Sequence, residues 1–470
     1  MLTLTPVLND SINIPLYIQL YTYIRDSILN RDIKPGEKLP SLRSLAKSLN
    51  LSLTTIELAY NQLLVEGYIS SKPQSGYFVN DISSEVGKAF VFEDSEQKIE
   101  ATEVPSIESM QQPIYYDPTN FDFFKWKKCI NKVLNEYSHL LFEEGNPRGE
   151  APLRYEISKY IYQSRGVRCS WEQVIVGAGT QQLLNLLCII LQKTGIDYVS
   201  FENPGYLPVR DIFKDRGFKM ATVPLDKDGI KIELLPANIR STVYVSPSNQ
   251  FPTASVMPIA RRYSLLDWAY NNDSIIIEDD YNSELIYSGR PVPSLQGLDT
   301  KGKVVYLGSF SSTLFSSIKI SYMVLPNDLN ELFEEVLGGY TQTCSKAEQL
   351  TLALYMQEGY YQTNLKKLRK IYSQKIQLAT SLINKYGKDK INILANSSGL
   401  HMLLELKDNP DKKQTEMICA MAKEQGLMLA PVLNYHEDEN RSVVVFYYTR
   451  IPLGKMEEAI VSLIQILTKI

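Results

Sequence analysis

Hydrophobic positions in the first eighty residues recur at helical spacing. Leu16, Leu20, Ile24 and Ile28 fall on every fourth position and predict one buried helix face, ended by Lys34-Pro35-Gly36. Ser41 can cap a second helix that turns Leu42, Leu45, Ala46 and Leu49 inward. Ser52 can cap a third, with Ile56, Ala59, Tyr60, Leu63 and Leu64 inward. The two short helices meet at Asn50-Leu51, a junction tight enough for a helix-turn-helix. After Gly67, residues 68–71 and 77–79 read as two strands around Pro73-Gln74-Ser75-Gly76, a hairpin wing.

The pattern then changes twice. From 81 to 112 periodicity fades and eight acidic residues stand against two lysines, a composition that cannot bury enough apolar surface to order itself and predicts a mobile acidic tether. Beyond Pro113, short apolar runs at 174–176, 198–201, 242–245, 275–277, 304–307 and 322–325 alternate with amphipathic stretches. That alternation predicts an α/β domain with a largely parallel sheet and ligands at the strand C-termini. From about 347 a smaller α+β unit is expected, with helices near 350–361 and 456–467 and strands at 400–406 and 443–448. The chain therefore divides into 11–80, 81–112, 113–345 and 346–470: a winged-helix head, a tether, an α/β large domain and a smaller α+β subdomain.

Composition sharpens this only in places. A chain of 470 residues with 44% hydrophobic content is too long for one core and rich enough for several. From Asp10 to Asn80, seven Lys and Arg oppose six Asp and Glu, so charge alone does not announce nucleic acid. The five cysteines are odd in number, widely spaced and form no CxxC pair, which suits free thiols in a reducing compartment. His139, His401 and His436 show neither metal nor triad spacing. The start has no basic leader, and the longest apolar run, 183–191, is too short to span a bilayer, so a cytoplasmic protein without a membrane partner is expected.

The stretches PLYIQL, KPGEKLPSLRSLAKSLNLS, AYNQLLVEGYI and SGYFV occur in the order found in the winged helix-turn-helix of the GntR family, which this segment resembles. The resemblance implies a double-stranded DNA partner. Ser41 and Arg43 would touch phosphates, residues from Ser52 onward would enter the major groove, and the wing would add backbone contacts. Two departures stand out. The family usually has Arg just after the capping Ser, where this chain has Leu53, and the wing's usual Arg and Gly are Lys72 and Gln74. Thr54, Thr55 and Asn61 are left as the polar readers of base edges.

Residues 303–326 read as a strand, a Ser-rich turn after Gly308 and a second apolar strand from Ile318. The turn resembles the Gly-Ser/Thr-Phe-Ser-Lys loop of fold-type-I aminotransferases, where the lysine forms a Schiff base with pyridoxal 5'-phosphate (PLP) and a later Arg holds its phosphate. Ser312 stands at the lysine position and Lys319 at the arginine position. Asn146-Pro-Arg-Gly149, GAGTQQ from Gly177, Glu202-Asn-Pro-Gly-Tyr206, Ser246-Pro-Ser-Asn-Gln-Phe-Pro252 and Ile277-Glu-Asp-Asp-Tyr281 follow in that family's order. Together with the head, the whole chain resembles the MocR/GabR regulators.

This resemblance implies that Asp279 pairs with the pyridine nitrogen, that Tyr281 and Asn249 or Gln250 bond the phenolic oxygen, and that Tyr206 stacks on the ring. Thr180, Gln181, Ser309, Ser311 and Lys319 would surround the phosphate. Related enzymes carry a substrate-binding Arg in a late strand, yet residues 442–448 contain none, and Arg441 and Arg450 only flank them. Without the lysine, PLP or a PLP-amino acid adduct would bind non-covalently, as an effector of a homodimeric DNA-binding regulator. The alternative is an active aminotransferase that uses Lys319.

Overall fold

The structure, a computed structural model, describes residues 4–6, 8–9, 14–82, 107, 110, 113–287, 292–396, 399–432 and 441–468. All of the expected tether except 81, 82, 107 and 110 lies outside the described residues, as does His436. The chain forms two compact units, Met1–Met110 and Gln111–Ile470.

In the first unit, helices α1 (Leu16–Leu29), α2 (Leu42–Leu49) and α3 (Leu53–Val65) precede a hairpin of β1 (Ile69–Lys72) and β2 (Gly76–Val79). The periodic residues do what their spacing demands: Leu20, Ile24, Ile28, Leu45, Ile56, Ala59, Tyr60 and Leu63 share one core with Ile69 and Val79. Asn50 takes a left-handed conformation (φ 54°), which lets the Leu51 N–H return to the Ala46 carbonyl at 3.0 Å and turns the chain sharply into α3. The Tyr60 hydroxyl donates to the Pro40 carbonyl at 3.0 Å, and its ring meets Tyr77 edge-on at 5.0 Å, joining α3 to the wing.

The second unit is built on an eight-stranded sheet. Its strands are β3 (Val174–Ala178), β4 (Tyr198–Asn203), β5 (Lys219–Asp226), β6 (Gly229–Ile230), β7 (Thr242–Val245), β8 (Ile275–Asp279), β9 (Val304–Ser309) and β10 (Ile320–Val324), in the spatial order β3-β10-β9-β8-β7-β4-β5-β6. The run β9, β8, β7, β4, β5 is parallel, as the alternation predicts. β10 runs against both its neighbours, because the short 310–319 connection has no room for a crossover helix and can only return the chain antiparallel.

Helices cover both faces. On one side α6 (Thr180–Lys193) buries Leu183, Leu184, Leu187 and Leu191 against Phe201, Ile277 and Leu307. On the other, α4 (Phe123–Glu136) and α5 (Ala151–Arg165) pack with Tyr306, Phe310 and Tyr322. The helix Lys346–Gln357, which the sequence suggests as the start of the smaller subdomain, instead packs Leu352, Ala353, Tyr355 and Met356 into this second cluster beside Phe121 and Trp126. Its apolar face finds its partners in the large sheet's helices. The continuous helix expected near 350–361 breaks at Gly359 (φ 73°), and a longer one, Tyr360–Tyr386, runs from the large cluster at Tyr361 and Leu365 to the smaller core at Ile376 and Ala379. That smaller core rests on an antiparallel sheet of β11 (Ile391–Ala395), β12 (Met402–Leu406), β14 (Val443–Phe446) and β13 (Leu429–Pro431), in that order, with helix Met456–Thr468. Among the described residues no helix is long and apolar enough to cross a membrane.

Candidate functional sites

On the first unit, the two N-cap serines close their helices. The Ser41 hydroxyl accepts from the Ser44 N–H at 3.2 Å, and Ser52 accepts from Thr55 N–H at 3.1 Å. Arg43 and Lys47 are exposed on α2, while Thr54 and Asn61 are exposed on α3. Thr55 is different from its expected role as a base reader: it is half-buried and its hydroxyl bonds Ser52 Oγ at 2.7 Å, so the cap consumes it. Lys72 reaches over the Phe78 ring at 4.8 Å, and Lys38, bridged to Phe78 through its backbone, lies over the same ring at 6.0 Å. The wing thus carries two cations, of which only Lys72 is a wing position by sequence.

The second candidate site gathers at the C-terminal ends of β4, β7, β8 and β9. Tyr244 on β7 is registered with Ile277 on β8, so its ring points to the same side of the sheet as Asp279, two residues on. Its hydroxyl donates to Asp279 Oδ2. Burial pushes the Asp279 carboxyl up to about 6, against the pull of that hydrogen bond. The flanking acids turn to the opposite face: Glu278 accepts from the Leu295 and Gln296 N–H groups at 2.8 and 2.9 Å, and Asp280 pairs with Arg165 at 2.8 Å.

Tyr281 and Tyr206 both lie within electrostatic reach of Asp279, and burial raises the phenol of each above its usual value. Tyr206 is 41% exposed and meets Phe251 edge-on at 6.0 Å. Phe251 in turn contacts His401 at 5.4 Å, and His401 contacts Tyr447 at 5.8 Å. The result is an aromatic wall, with His401 Nε2 donating to the Pro252 carbonyl at 3.1 Å. Asn249 is buried close to Gly399, where a side chain on that glycine would press within 2.9 Å of its Nδ2.

Gln250 departs from its expected role at the cofactor. Its amide donates to Glu202 Oε2, the Pro204 carbonyl and the Phe251 carbonyl, and its oxygen accepts from Thr253 N–H and Oγ1. It holds the loop together. Glu202, which the sequence reading did not assign, sits at this point with its carboxyl pushed by burial to about 8.

At the other end, Ser321 on β10 is registered with both Ser309 and Gly177. Its hydroxyl therefore links Ser309 Oγ at 2.9 Å to Thr180 Oγ1 at 3.5 Å, and Ser311 N–H donates to Ser309 Oγ at 3.3 Å. α6 opens here behind Gly179, whose φ of 88° favours glycine, so unsatisfied N–H groups and the positive end of a fourteen-residue helix adjoin the hydroxyls. Lys319, one residue before the Ile320–Ala178 pair, stands at the same end of the sheet; it is exposed and makes no ion pair among the described residues. Gln181 is exposed on the first turn of α6.

Ser312 occupies the turn after β9. That turn is fixed: Thr313 Oγ1 bonds Tyr361 Oη at 3.0 Å, and Asn364 Nδ2 donates to the Thr313 carbonyl at 2.7 Å. The hydroxyl cluster with the helix start suits a phosphate, and the buried carboxyl ringed by phenols suits a protonated ring nitrogen. PLP therefore fits both ends of this donor set, but nothing at position 312 can bond it covalently.

Residues 16–79 match the family described as bacterial regulatory proteins, gntR family, and residues 115–442 match aminotransferase class I and II. The uncharacterized HTH-type transcriptional regulator YdeL of Bacillus subtilis is 37% identical over 470 residues, covering 97% of this chain and 98% of its own. The probable rhizopine catabolism regulatory protein MocR of Rhizobium meliloti is 30% identical over 460 residues, covering 94% of this chain and 92% of its own. Among solved structures, Pyrococcus horikoshii kynurenine aminotransferase has the same fold, with TM-score 0.65 and 22% identity over 82% of this chain and 99% of that one.

Proposed function

Because the chain belongs to the MocR/GabR-type HTH transcriptional regulators, a GntR winged helix joined to an aminotransferase class I and II domain, we propose that the second domain is a receptor for a PLP-class effector rather than a working transaminase. The observation that carries this reading is the retention of Asp279 with Tyr244 and of the Thr180, Ser309 and Ser321 hydroxyls around a loop that has Ser312 where a covalent lysine is expected.

Asp279 would pair with the ring nitrogen, Tyr281 and Asn249 would bond the phenolic oxygen, Tyr206 would lie on the ring, and Ser309, Ser311, Thr180 and Lys319 would hold the phosphate. Bound PLP supplies an electron sink once its nitrogen is protonated. A serine hydroxyl neither anchors the aldehyde nor shuttles the substrate proton at neutral pH, and a positioned base contributes on the order of 10²- to 10⁴-fold to such a transfer. The effector, PLP or its adduct with an amino acid, is held reversibly, and it alters DNA affinity by binding one arrangement of the protein better than another. The protein acts as a homodimer in the cytoplasm.

Calorimetry with PLP, pyridoxamine phosphate and PLP-amino acid adducts, paired with borohydride treatment and mass spectrometry, tests this. Saturable binding without a specific covalent adduct is expected. A phosphopyridoxyl group on Lys319 would favour the enzyme instead, and absence of all binding would end the receptor reading.

A further inference from the structure

The recognition helix presents an unusual surface for a DNA reader. Ile56, Ala59, Tyr60 and Leu63 of α3 turn into the core and leave Leu53, Thr54, Glu57, Leu58, Asn61, Gln62 and Val65 exposed, with Thr54, Leu58 and Asn61 aligned at i, i+4 and i+7 and Gln62 and Val65 on the last turns. Leu53 is 41% exposed and Leu58 46% exposed. α3 contains no Lys or Arg, and Thr55 is tied into the cap. The cations sit on either side: Arg43 and Lys47 on α2, Lys72 on the wing and Lys38 bridged to it.

This division of labour has a chemical meaning in the major groove. Guanine is read chiefly by Arg or Lys at O6 and N7, and α3 offers neither. Thymine presents a C5-methyl that packs on apolar side chains, and adenine presents the N6 and N7 pair that a carboxamide matches. The first turns of such a helix are the part that meets base edges.

Resting on the DNA-binding reading above, we infer that Leu53, Leu58 and the Thr54 methyl form an apolar reader of thymine methyl groups, with Asn61 set for adenine. The half-site carries thymine methyl groups opposite Leu53 and Leu58, and the flanking cations bind phosphate without regard to sequence. Leu58 and Leu53 are specificity determinants, and the guanine N7 atoms of the half-site go unread.

Duplexes enriched from random sequence by the full chain provide the probe. Replacing thymine by uracil across an enriched half-site removes only the methyl groups. It is expected to lower affinity about fourfold per contacted methyl, the worth of one buried methyl. Replacing guanine by 7-deazaguanine, which removes N7, leaves affinity unchanged. Leu58→Ala and Leu53→Ala, both at exposed positions, lose part of the uracil penalty while keeping a steep salt dependence. Uracil substitution without effect, or a penalty of the same size in both variants, overturns the inference and leaves DNA binding standing. A 7-deazaguanine penalty in place of the uracil one overturns it in the same way. No enrichment and no salt-dependent shift overturns the DNA-binding reading and this inference with it.

Discussion

Tyr244 donates its hydroxyl proton to Asp279, and the pair holds a carboxyl in a buried place that resists its charge. Burial raises that carboxyl to about 6, so the folded chain retains a proton that the unfolded chain loses near pH 4. Stability contributed by this group therefore falls as pH rises from about 4 to 6 and is flat above that window. Asp279→Asn, neutral and of the same shape, is expected to raise stability at pH 7.5 by on the order of 1–3 kcal/mol in urea unfolding. The same change should weaken PLP binding at least tenfold, since the ring nitrogen loses its counter-charge. Wild-type affinity for PLP should itself rise as pH passes upward through about 6, as the carboxylate forms. A variant that is less stable yet binds PLP normally would remove Asp279 from the ligand's partners.

In the proposed receptor, Lys319 and Ser312 have separable roles at the phosphate end. Lys319 is exposed, so its attraction for a phosphate is screened, and Lys319→Met should cost roughly five- to tenfold in affinity for PLP with little change for pyridoxal, which has no phosphate. Calorimetry with the two ligands makes the comparison. Ser312→Lys should convert reversible binding to a covalent bond, seen after borohydride as a phosphopyridoxyl adduct on residue 312. A Ser312→Lys protein that binds PLP but forms no adduct would place the reactive loop elsewhere.

Much of this was legible in one dimension, and the exceptions share a cause. Every buried residue of α1 to α3 follows from apolar spacing, and Ser41 and Ser52 announce their caps. The strand order read from the sequence places Asp279, Tyr206 and the Gly177–Thr180 turn at strand C-terminal ends, where the structure also has them. Tyr244 was not visible, because it reads as one more strand residue until register places it 35 positions away, at Asp279. Ser321 was hidden similarly, since only antiparallel pairing with both β3 and β9 makes it the link between Thr180 and Ser309. Gln250 and Thr55 show the opposite side of the same cause: their polar side chains hydrogen-bond their own loop and cap, which spacing along the chain does not announce. The helix at 346–357 was misplaced because amphipathicity tells that a face is buried and not against which core.

Lys375 and Asp117 form an ion pair at 2.7 Å with both side chains buried, and Lys375 also donates to the Thr449 carbonyl at 2.6 Å. The pair pins the segment beside Tyr115 to the long helix that spans both cores of the second unit. Lys375→Met should cost about 3–5 kcal/mol in urea unfolding, because it leaves the buried Asp117 carboxylate without a countercharge, held only by the Thr119 N–H and hydroxyl. Adding Asp117→Asn to that variant should recover a large part of the loss. Equal stability of the single and double variants would mean that Asp117 reaches water once the lysine is gone.

Arg43 stands exposed one position into α2, behind a serine cap and one turn before Lys47, and the proposed DNA-binding role sets it against the phosphate backbone. A guanidinium there neutralises a phosphate and carries no sequence information of its own. Arg43→Ala is expected to weaken binding to the enriched duplex and to an unrelated duplex by similar factors. Because one fewer counterion is released, the slope of log affinity against log salt should become shallower by about one unit. Leu58→Ala should do the reverse, narrowing the gap between the two duplexes at an unchanged salt slope. Fluorescence anisotropy titrations of both variants at four salt concentrations separate the contributions. If Arg43→Ala reduces discrimination while the salt slope stays fixed, the arginine reaches a base edge and the assignment of α2 to the phosphate backbone fails.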